Sequence, residues 1–328
     1  MLVLSAQDVA RAATDADVLA IVEQSFREVC SDGALVPPRI KTILDDRGDR
    51  IIVMPAYLPR SQALATKIVT VFPGNAARRL PLIVGAVLLN DASTGLPLAV
   101  IDGASITDLR TAAASAVATC ALAGPGPRTL AMIGAGAQGR AHLRFLCALY
   151  AFEEVRVCAR RLESARRLVD DATSRGLAQV RAVATPEEAA RGADVVVTAT
   201  SSRNPVLNWE WLAPGAHVCA VGSATPSHRE LESDVLERAS VIAVDTREGA
   251  LSEAGDLMVP IAEGRLSPER VSELGEILLG RRPGRRRAED VTVYKGVGTA
   301  TLDASVAAEI HRRAADLGIG VDVPFTAE

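Results

Sequence analysis

The stretch Leu130-Ala-Met-Ile133, followed at once by Gly134-Ala-Gly136-Ala137-Gln138-Gly139, restricts the fold more than any other part of the chain. Its four apolar residues read as a short buried strand, and Ala141, Leu143, Phe145 and Leu146 beyond the glycines follow the spacing of a helix. A strand that passes into a helix through Gly-x-Gly-x-x-Gly is the phosphate-binding turn of a parallel βαβ unit. Gly134 permits the tight turn, Gly136 lets the backbone approach a pyrophosphate, and Gly139 lets the helix pack close to the strand. The first N–H groups of that helix, at Ala137 and Gln138, and its positive dipole end then favour phosphate. A dinucleotide cofactor is the first expectation.

The surrounding texture agrees. From Thr129 onward apolar runs at 130–133, 154–158, 179–183 and 194–199 alternate with helical segments, the signature of parallel βαβ units. Runs at 216–221 and 241–244 extend the sheet, and 291–294 is expected to end it. Ahead of this region, residues 7–30 read as one amphipathic helix closed by Asp32-Gly33. Four β-rich runs at 50–54, 63–71, 83–89 and 98–102, separated by turns such as Pro73-Gly74-Asn75, suggest an antiparallel or mixed sheet. An Ala-rich helix over 107–123 then runs to Gly124-Pro125-Gly126-Pro127. A chain of 328 residues with 48% hydrophobic content suits two domains rather than one.

Charge and composition exclude several classes. A net charge of −4 gives no basic excess to draw the chain to nucleic acid or to an anionic membrane, and 3% aromatic content leaves little for base stacking. No apolar run reaches the roughly 18 residues that span a bilayer, and the N-terminus has no basic leader, so the expected location is the cytoplasm. The five cysteines (Cys30, Cys120, Cys147, Cys158, Cys219) are scattered among apolar neighbours without metal or redox spacing, and read as buried thiols in a reducing compartment, with no metal site. The basic run 281–287 reads as a solvated loop.

The second strand of the βαβ region, Val155-Arg156-Val157-Cys158, ends in Ala159-Arg160-Arg161. About 20 residues past the last loop glycine, an NAD-selective site places a carboxylate on the ribose 2′-hydroxyl. Here arginines stand instead. Either Arg160, assisted by Arg161, faces a 2′-phosphate, giving a preference for NADPH with NADH still usable, or the two are surface residues opening the next helix.

Beyond the glycine turn, Val53-Met-Pro-Ala-Tyr57, Thr66-Lys-Ile-Val-Thr70, Asp102-Gly103, Thr107 through Ala116, Pro214 through Val218, Val221-Gly222, Asp245 through Glu248, Glu253-Ala-Gly-Asp256 and Lys295-Gly-Val-Gly298 with Asp303 resemble, in order and spacing, the ornithine cyclodeaminase/mu-crystallin family. The resemblance implies an α/β chain with a Rossmann dinucleotide-binding domain over 119–301. It also implies a second, α+β domain for substrate and dimerisation, built from 1–118 and the closing helix in 302–328, and a homodimer. Arg39, Lys67 and Arg110 fall at positions that meet the substrate in that family. Guanidinium groups suit an amino- or imino-acid carboxylate, and Lys67, in an apolar run, is a carboxylate contact or a proton donor to the imine nitrogen. Thr200, Val221, Gly222 and Gly298 complete the expected cofactor contacts.

There are two departures from the family. The cyclodeaminases carry an aspartate where this chain has Ala224, which cannot handle a side-chain ammonium, so ornithine cyclisation recedes. Leu82-Ile83-Val84 replaces the Ser, His and Gln of mu-crystallin-like members, which implies a more apolar pocket. The nearby His228 reads as part of a solvated turn. The resulting expectation is reduction of a small cyclic ketimine or imino acid by NAD(P)H, with an alanine dehydrogenase-like enzyme, and beyond the enzymes a crystallin-like binding protein, as alternatives.

Overall fold

The computed structural model describes residues 1–177 and 179–325. In chain order these form β1 (Leu2–Leu4), α1 (Ala6–Ala12), α2 (Asp15–Ser31), β2 (Ile40–Ile43), β3 (Arg50–Leu58), β4 (Ala63–Val71), β5 (Ile83–Asp91), β6 (Pro97–Asp102) and α3 (Gly103–Leu122). There follow β7 (Thr129–Ile133), α4 (Ala137–Leu149), β8 (Glu154–Cys158), α5 (Leu162–Ser174), β9 (Val180–Ala182), α6 (Pro186–Ala190), β10 (Val195–Thr198), β11 (His217–Ala220) and α7 (Ser233–Arg238). The chain closes with β12 (Val241–Val244), α8 (Arg247–Glu253), α9 (Gly255–Ala262), β13 (Val271–Glu273), α10 (Leu274–Leu278), β14 (Thr292–Lys295), α11 (Ala300–Leu317) and β15 (Val321–Asp322).

The chain divides into two compact units, Met1–Arg110 with Thr299–Glu328, and Thr111–Gly298. The cuts fall inside α3 and just ahead of α11, where the sequence reading placed them at 118/119 and 301/302.

The first unit is built on a seven-stranded sheet in the order β15-β1-β6-β5-β4-β3-β2. Its pairs are antiparallel except β1 with β6. Strand residues alternate between faces, and in β4 the buried set is Ala63, Ala65, Lys67 and Val71 while Ile68 is 41% exposed. Register therefore turns Lys67 toward the covered face, where α11 packs on β3, β4 and β5 and also meets α2. The single opening helix expected over 7–30 is two helices. Thr14 is the reason: it stands in extended conformation as the N-cap of α2, its Oγ1 accepting the Asp17 N–H at 3.2 Å. Ser5 and Asp8 close a capping box on α1.

The second unit is an eight-stranded sheet, every pair parallel, in the order β13-β12-β14-β11-β10-β7-β8-β9. From β7 the chain winds outward through β8 and β9, then returns to lay β10 and β11 on the other side. The run at 291–294 does not end this sheet. It forms β14, wholly buried between β11 and β12, and the edge belongs to the three-residue β13, too short to show a pattern. Two smaller expectations also fail. Cys120 is exposed, and Cys30 and Cys147 are only half-buried, although all five thiols are free. In the basic run, Arg285 is no solvated charge: it donates to the carbonyls of Leu122 (2.8 Å), Gly215 (2.9 Å) and Ala288 (3.2 Å). The five N–H donors of a guanidinium let one side chain satisfy several carbonyls.

Candidate functional site

In the first unit, Gly103 starts α3 hard against β5, since a Cβ there would stand 2.7 Å from the Gly85 carbonyl carbon. Asp102 Oδ1 accepts the Ser105 N–H at 2.8 Å and secures that first turn. One and two turns on, the same helical face carries Thr107 and Arg110. Opposite them, the first turn of α11 presents Asp303, a position where the helix dipole favours a carboxylate.

The three elements meet at one oxygen. Lys67 Nζ donates to Asp303 Oδ1 at 2.8 Å and to Thr107 Oγ1 at 2.9 Å, and Arg110 Nε donates to the same Asp303 Oδ1 at 3.0 Å. Lys67 and Asp303 are 4% and 1% exposed and Arg110 is 7% exposed. Arg39 precedes β2, whose Ile40 pairs with Val53, so it extends the row in which Met54 pairs with Lys67. Burial pushes the Lys67 ammonium down to about 8. The Asp303 charge opposes this, and the Arg110 and Arg39 charges add to it. Burial works to raise the Asp303 carboxyl, but the Lys67 and Arg110 charges and hydrogen bonds outweigh it and hold it below the usual carboxylate range. Two cations thus share one carboxylate, and the Arg39 charge acts on Lys67. The Nη1–Nη2 edge of Arg110 makes no hydrogen bond among the described residues, so the cluster retains a positive excess and a bidentate donor pair for a small anion.

In the second unit, Ile133 at the end of β7 pairs with Cys158 on one side and Thr198 on the other, which puts the glycine turn at the point where the strand order reverses. Gly134 has φ +123°, and a Cβ there would overlap the Ala199 carbonyl; a Cβ at Gly139 would strike the Gly134 carbonyl. Both positions need glycine for closeness. Gly136 is different: nothing lies within 4 Å of the direction its Cβ would take. It is also the N-cap of α4 with no side-chain cap, and Ala137 is exposed. Gln138 uses its carbonyl within the helix, accepting from His142 Nδ1 at 2.7 Å. An open glycine ahead of an uncapped thirteen-residue helix fits a dinucleotide pyrophosphate.

Arg160 and Arg161 lie in the segment from β8 to α5, with Arg161 as the N-cap of α5. Both are exposed, and neither side chain makes a hydrogen bond or ion pair with the described residues; the Arg161 carbonyl accepts the Ser164 N–H at 2.9 Å. The Cys158 carbonyl before them accepts the Gly134 N–H at 2.8 Å, tying this segment to the glycine turn.

The remaining cofactor candidates are held from behind. Glu230, fully buried, accepts the Thr200 N–H and hydroxyl on Oε1 (2.7 and 2.8 Å) and the Gly222 N–H on Oε2 (2.7 Å). Val221 continues the ladder to the Thr198 carbonyl at 2.9 Å. Asp256 Oδ1 accepts the Glu230 and Leu231 N–H groups, and Lys295 Nζ lies 3.1 Å from Asp256 Oδ2 and donates to the Ser223 carbonyl at 2.6 Å. Burial raises the Glu230 carboxyl, with the Lys295 charge opposing and the Asp256 charge reinforcing. Gly298 is buried with its N–H on Asp245 Oδ2. The N–H groups of Thr200, Gly222 and Gly298 are therefore committed to carboxylates.

Sequence reasoning placed no role on Glu230, Asp256, Lys295 or Asp303. One signal was available for the lysines. Of 36 basic residues only Lys41, Lys67 and Lys295 are lysine, and two of these three are fully buried in ion pairs, a setting where a compact ammonium is not replaceable by a guanidinium fork. Of the residues at the departures, Leu82, Ile83 and Val84 are about half exposed. Ala224 packs on the apolar core of the second unit. His228 is half-buried and bonded locally through Nδ1 to Thr225 (2.9 Å) and Ser227 (3.1 Å). Among the described residues there is no metal-ligand cluster, and no helix is long and apolar enough to cross a membrane.

An all-parallel sheet wound in this way around a glycine turn belongs to the dinucleotide-binding α/β proteins. Residues 1–317 match the ornithine cyclodeaminase/mu-crystallin family, and the chain belongs to that family. Among solved structures it is similar to the Δ1-pyrroline-2-carboxylate reductase of Thermococcus litoralis in complex with NADH and L-proline, with 34% identity, coverage of 98% of this chain and 100% of that one, and a TM-score of 0.94. An archaeal alanine dehydrogenase dimer with bound NAD is 31% identical over 99% of each chain, with a TM-score of 0.92. The ketimine reductase mu-crystallin of Mus musculus is 40% identical over 83% of each chain.

Proposed function

We propose that this protein reduces a small cyclic ketimine or imino acid of the pyrroline- or piperideine-2-carboxylate type to the amino acid, using a nicotinamide dinucleotide. The observation that carries this reading is the buried cluster of Lys67, Arg110 and Asp303 in a chain similar to a reductase that binds NADH and proline. The reduced nicotinamide, when bound, supplies a hydride for the imine carbon. The protein's own groups do the rest. The Nη edge of Arg110, with Arg39 nearby, holds the substrate carboxylate by charge-assisted hydrogen bonds. Lys67 has two of its three protons assigned to Asp303 and Thr107 and directs the third to the imine nitrogen as general acid. The Gly134–Gly139 turn and the N-terminus of α4 hold the pyrophosphate.

NADPH is the preferred cofactor in this reading and NADH a usable one. The two exposed, unpaired arginines after β8 support the preference, as does the lack of a carboxylate there. The active form is a homodimer in which a second copy covers the outer apolar face of the seven-stranded sheet, where Ile68 and Val84 are 41% and 51% exposed. Free thiols suit a cytoplasmic location.

A panel of pyrroline-2-carboxylate, piperideine-2-carboxylate and pyruvate with ammonia, followed at the nicotinamide absorbance band, tests the reading. Turnover of the cyclic imines is the expected result; turnover of pyruvate with ammonia alone would assign an alanine dehydrogenase, and no turnover with tight cofactor binding would leave a binding protein.

A further inference from the structure

We propose that Asp303 is the positioning residue of this site: through a single carboxylate oxygen it orients both the ammonium of Lys67 and the guanidinium of Arg110. The inference rests on the reductase reading for its functional part, but its geometric part stands by itself.

An ammonium on a four-carbon stem rotates freely unless its protons are assigned. Here Oδ1 of Asp303 and Oγ1 of Thr107 take two of the three, which leaves one direction for the last. A guanidinium offers two edges to a carboxylate. Asp303 takes Nε, so the terminal Nη1–Nη2 edge is the one left for a ligand. Oδ1 serves both cations, so the distance between the proton-delivering group and the anion-binding edge is set by that atom. Oδ2 is buried and takes no hydrogen bond from the described residues, so no second protein contact shares the task. Thr107 Oγ1 in turn donates to the Gly103 carbonyl at 2.7 Å, which orients its lone pairs toward the ammonium.

The same contact governs charge. The charged groups acting on Lys67 are Asp303 from α11, Arg110 from α3 and Arg39 from the segment before β2. Asp303 is the sole anion among them, and without its charge the buried ammonium loses its only ion-pair partner among the described residues and releases its proton at lower pH. A carboxylate that merely completed the packing and charge balance of α11 would leave kcat unchanged when its oxygen is displaced with the charge kept.

The test uses the full chain with lysine labelled at 13Cε, since three lysines give three signals, assigned by Lys41→Arg and Lys67→Arg with the remaining signal belonging to Lys295. The signals are titrated in wild type, Asp303→Asn and Asp303→Glu, alongside kcat/KM for pyrroline-2-carboxylate against pH and the affinity for NADH. In wild type the Lys67 signal titrates near 8, and the reductive rate falls as pH rises through that midpoint because the donor must carry its proton. In Asp303→Asn the midpoint and the alkaline limb both move down by at least a unit, with NADH affinity within about twofold of wild type. Asp303→Glu keeps the charge but displaces the oxygen, so the midpoint stays near its wild-type value while kcat falls about tenfold; it is also the second variant if the Asn protein does not fold. An unmoved Lys67 midpoint in folded Asp303→Asn, or wild-type kcat in Asp303→Glu, overturns the proposal. If wild type reduces no imine, the reductase reading fails while the NMR titrations still decide the role of Asp303.

Discussion

Replacing Arg110 by lysine isolates what the guanidinium contributes beyond charge. In the native arrangement Nε is committed to Asp303 at 3.0 Å, and two terminal nitrogens remain for a carboxylate. A lysine at 110 can keep one ammonium contact to Asp303 or one to the ligand, but not the paired fork. The loss is therefore at least one charge-assisted hydrogen bond, worth about 1.5–3 kcal/mol. At roughly 1.4 kcal/mol per factor of ten, that is about a ten- to hundredfold fall in kcat/KM for the imino acid. Because Lys67 still pairs with Asp303, no buried carboxylate is orphaned and the variant folds; Arg110→Ala removes the second cation outright and loses more. Initial rates at the nicotinamide band give kcat/KM, and quenching or enhancement of nicotinamide fluorescence gives cofactor affinity, which is expected to stay within a factor of two because Arg110 is not among the residues proposed to hold the dinucleotide. Wild-type kcat/KM in both variants would remove Arg110 from the substrate site.

Arg160→Ala lowers the preference for NADPH over NADH by roughly ten- to a hundredfold at ordinary ionic strength, read as the ratio of kcat/KM for the two cofactors; an unchanged ratio makes Arg160 an ordinary surface residue. Ornithine yields negligible proline and ammonia because Ala224 provides no carboxylate for the side-chain amine, and efficient proline formation would show another residue in that role. Acid should destabilise the second unit through His142, whose burial lowers it to about 4 against the Gln138 hydrogen bond. The unfolded chain takes up a proton below about 6.5 that the folded one refuses, so stability is full above that pH and declines by about 3 kcal/mol on the way down to 4. Thermal denaturation of His142→Gln between these values has a flatter pH slope; an equal slope means that His217 or the carboxylates carry the effect.

How much of this was written in the sequence depends on whether the signal was local. The glycine turn was legible because each of its residues acts on its immediate neighbours, and Lys67 and Arg110 were found through their resemblance to known positions. Asp303 was quoted within a matching segment yet given no role, since its partners lie 236 and 193 residues away and only the packing of α11 on β4 brings them together. Glu230 and Asp256 escaped for a related reason: a carboxylate that serves backbone N–H groups leaves no pairing pattern among side chains. The position of β14 inside the sheet was equally hidden, because an apolar run of four residues looks the same at an edge and at the centre. The break at Thr14 was a missed local signal, Thr-x-x-Asp being readable as a cap.

The interrupted chain path of the first unit has a consequence for synthesis. Residues 111–298 are contiguous and carry every strand of the eight-stranded sheet, so that body can close while the chain is still being made. The earlier unit cannot. Its sheet waits, with a lysine already facing what will be its interior, until α11 emerges from the ribosome some 230 residues later with the Asp303 carboxylate that pairs with it. Until then Lys67 on β4 and Arg110 on α3 are cations without that carboxylate, and they repel each other and keep the uncovered face hydrated. Helix α11 thus completes the core of the first unit and the Lys67–Arg110–Asp303 cluster in the same event, so a chain truncated before residue 303 loses both together.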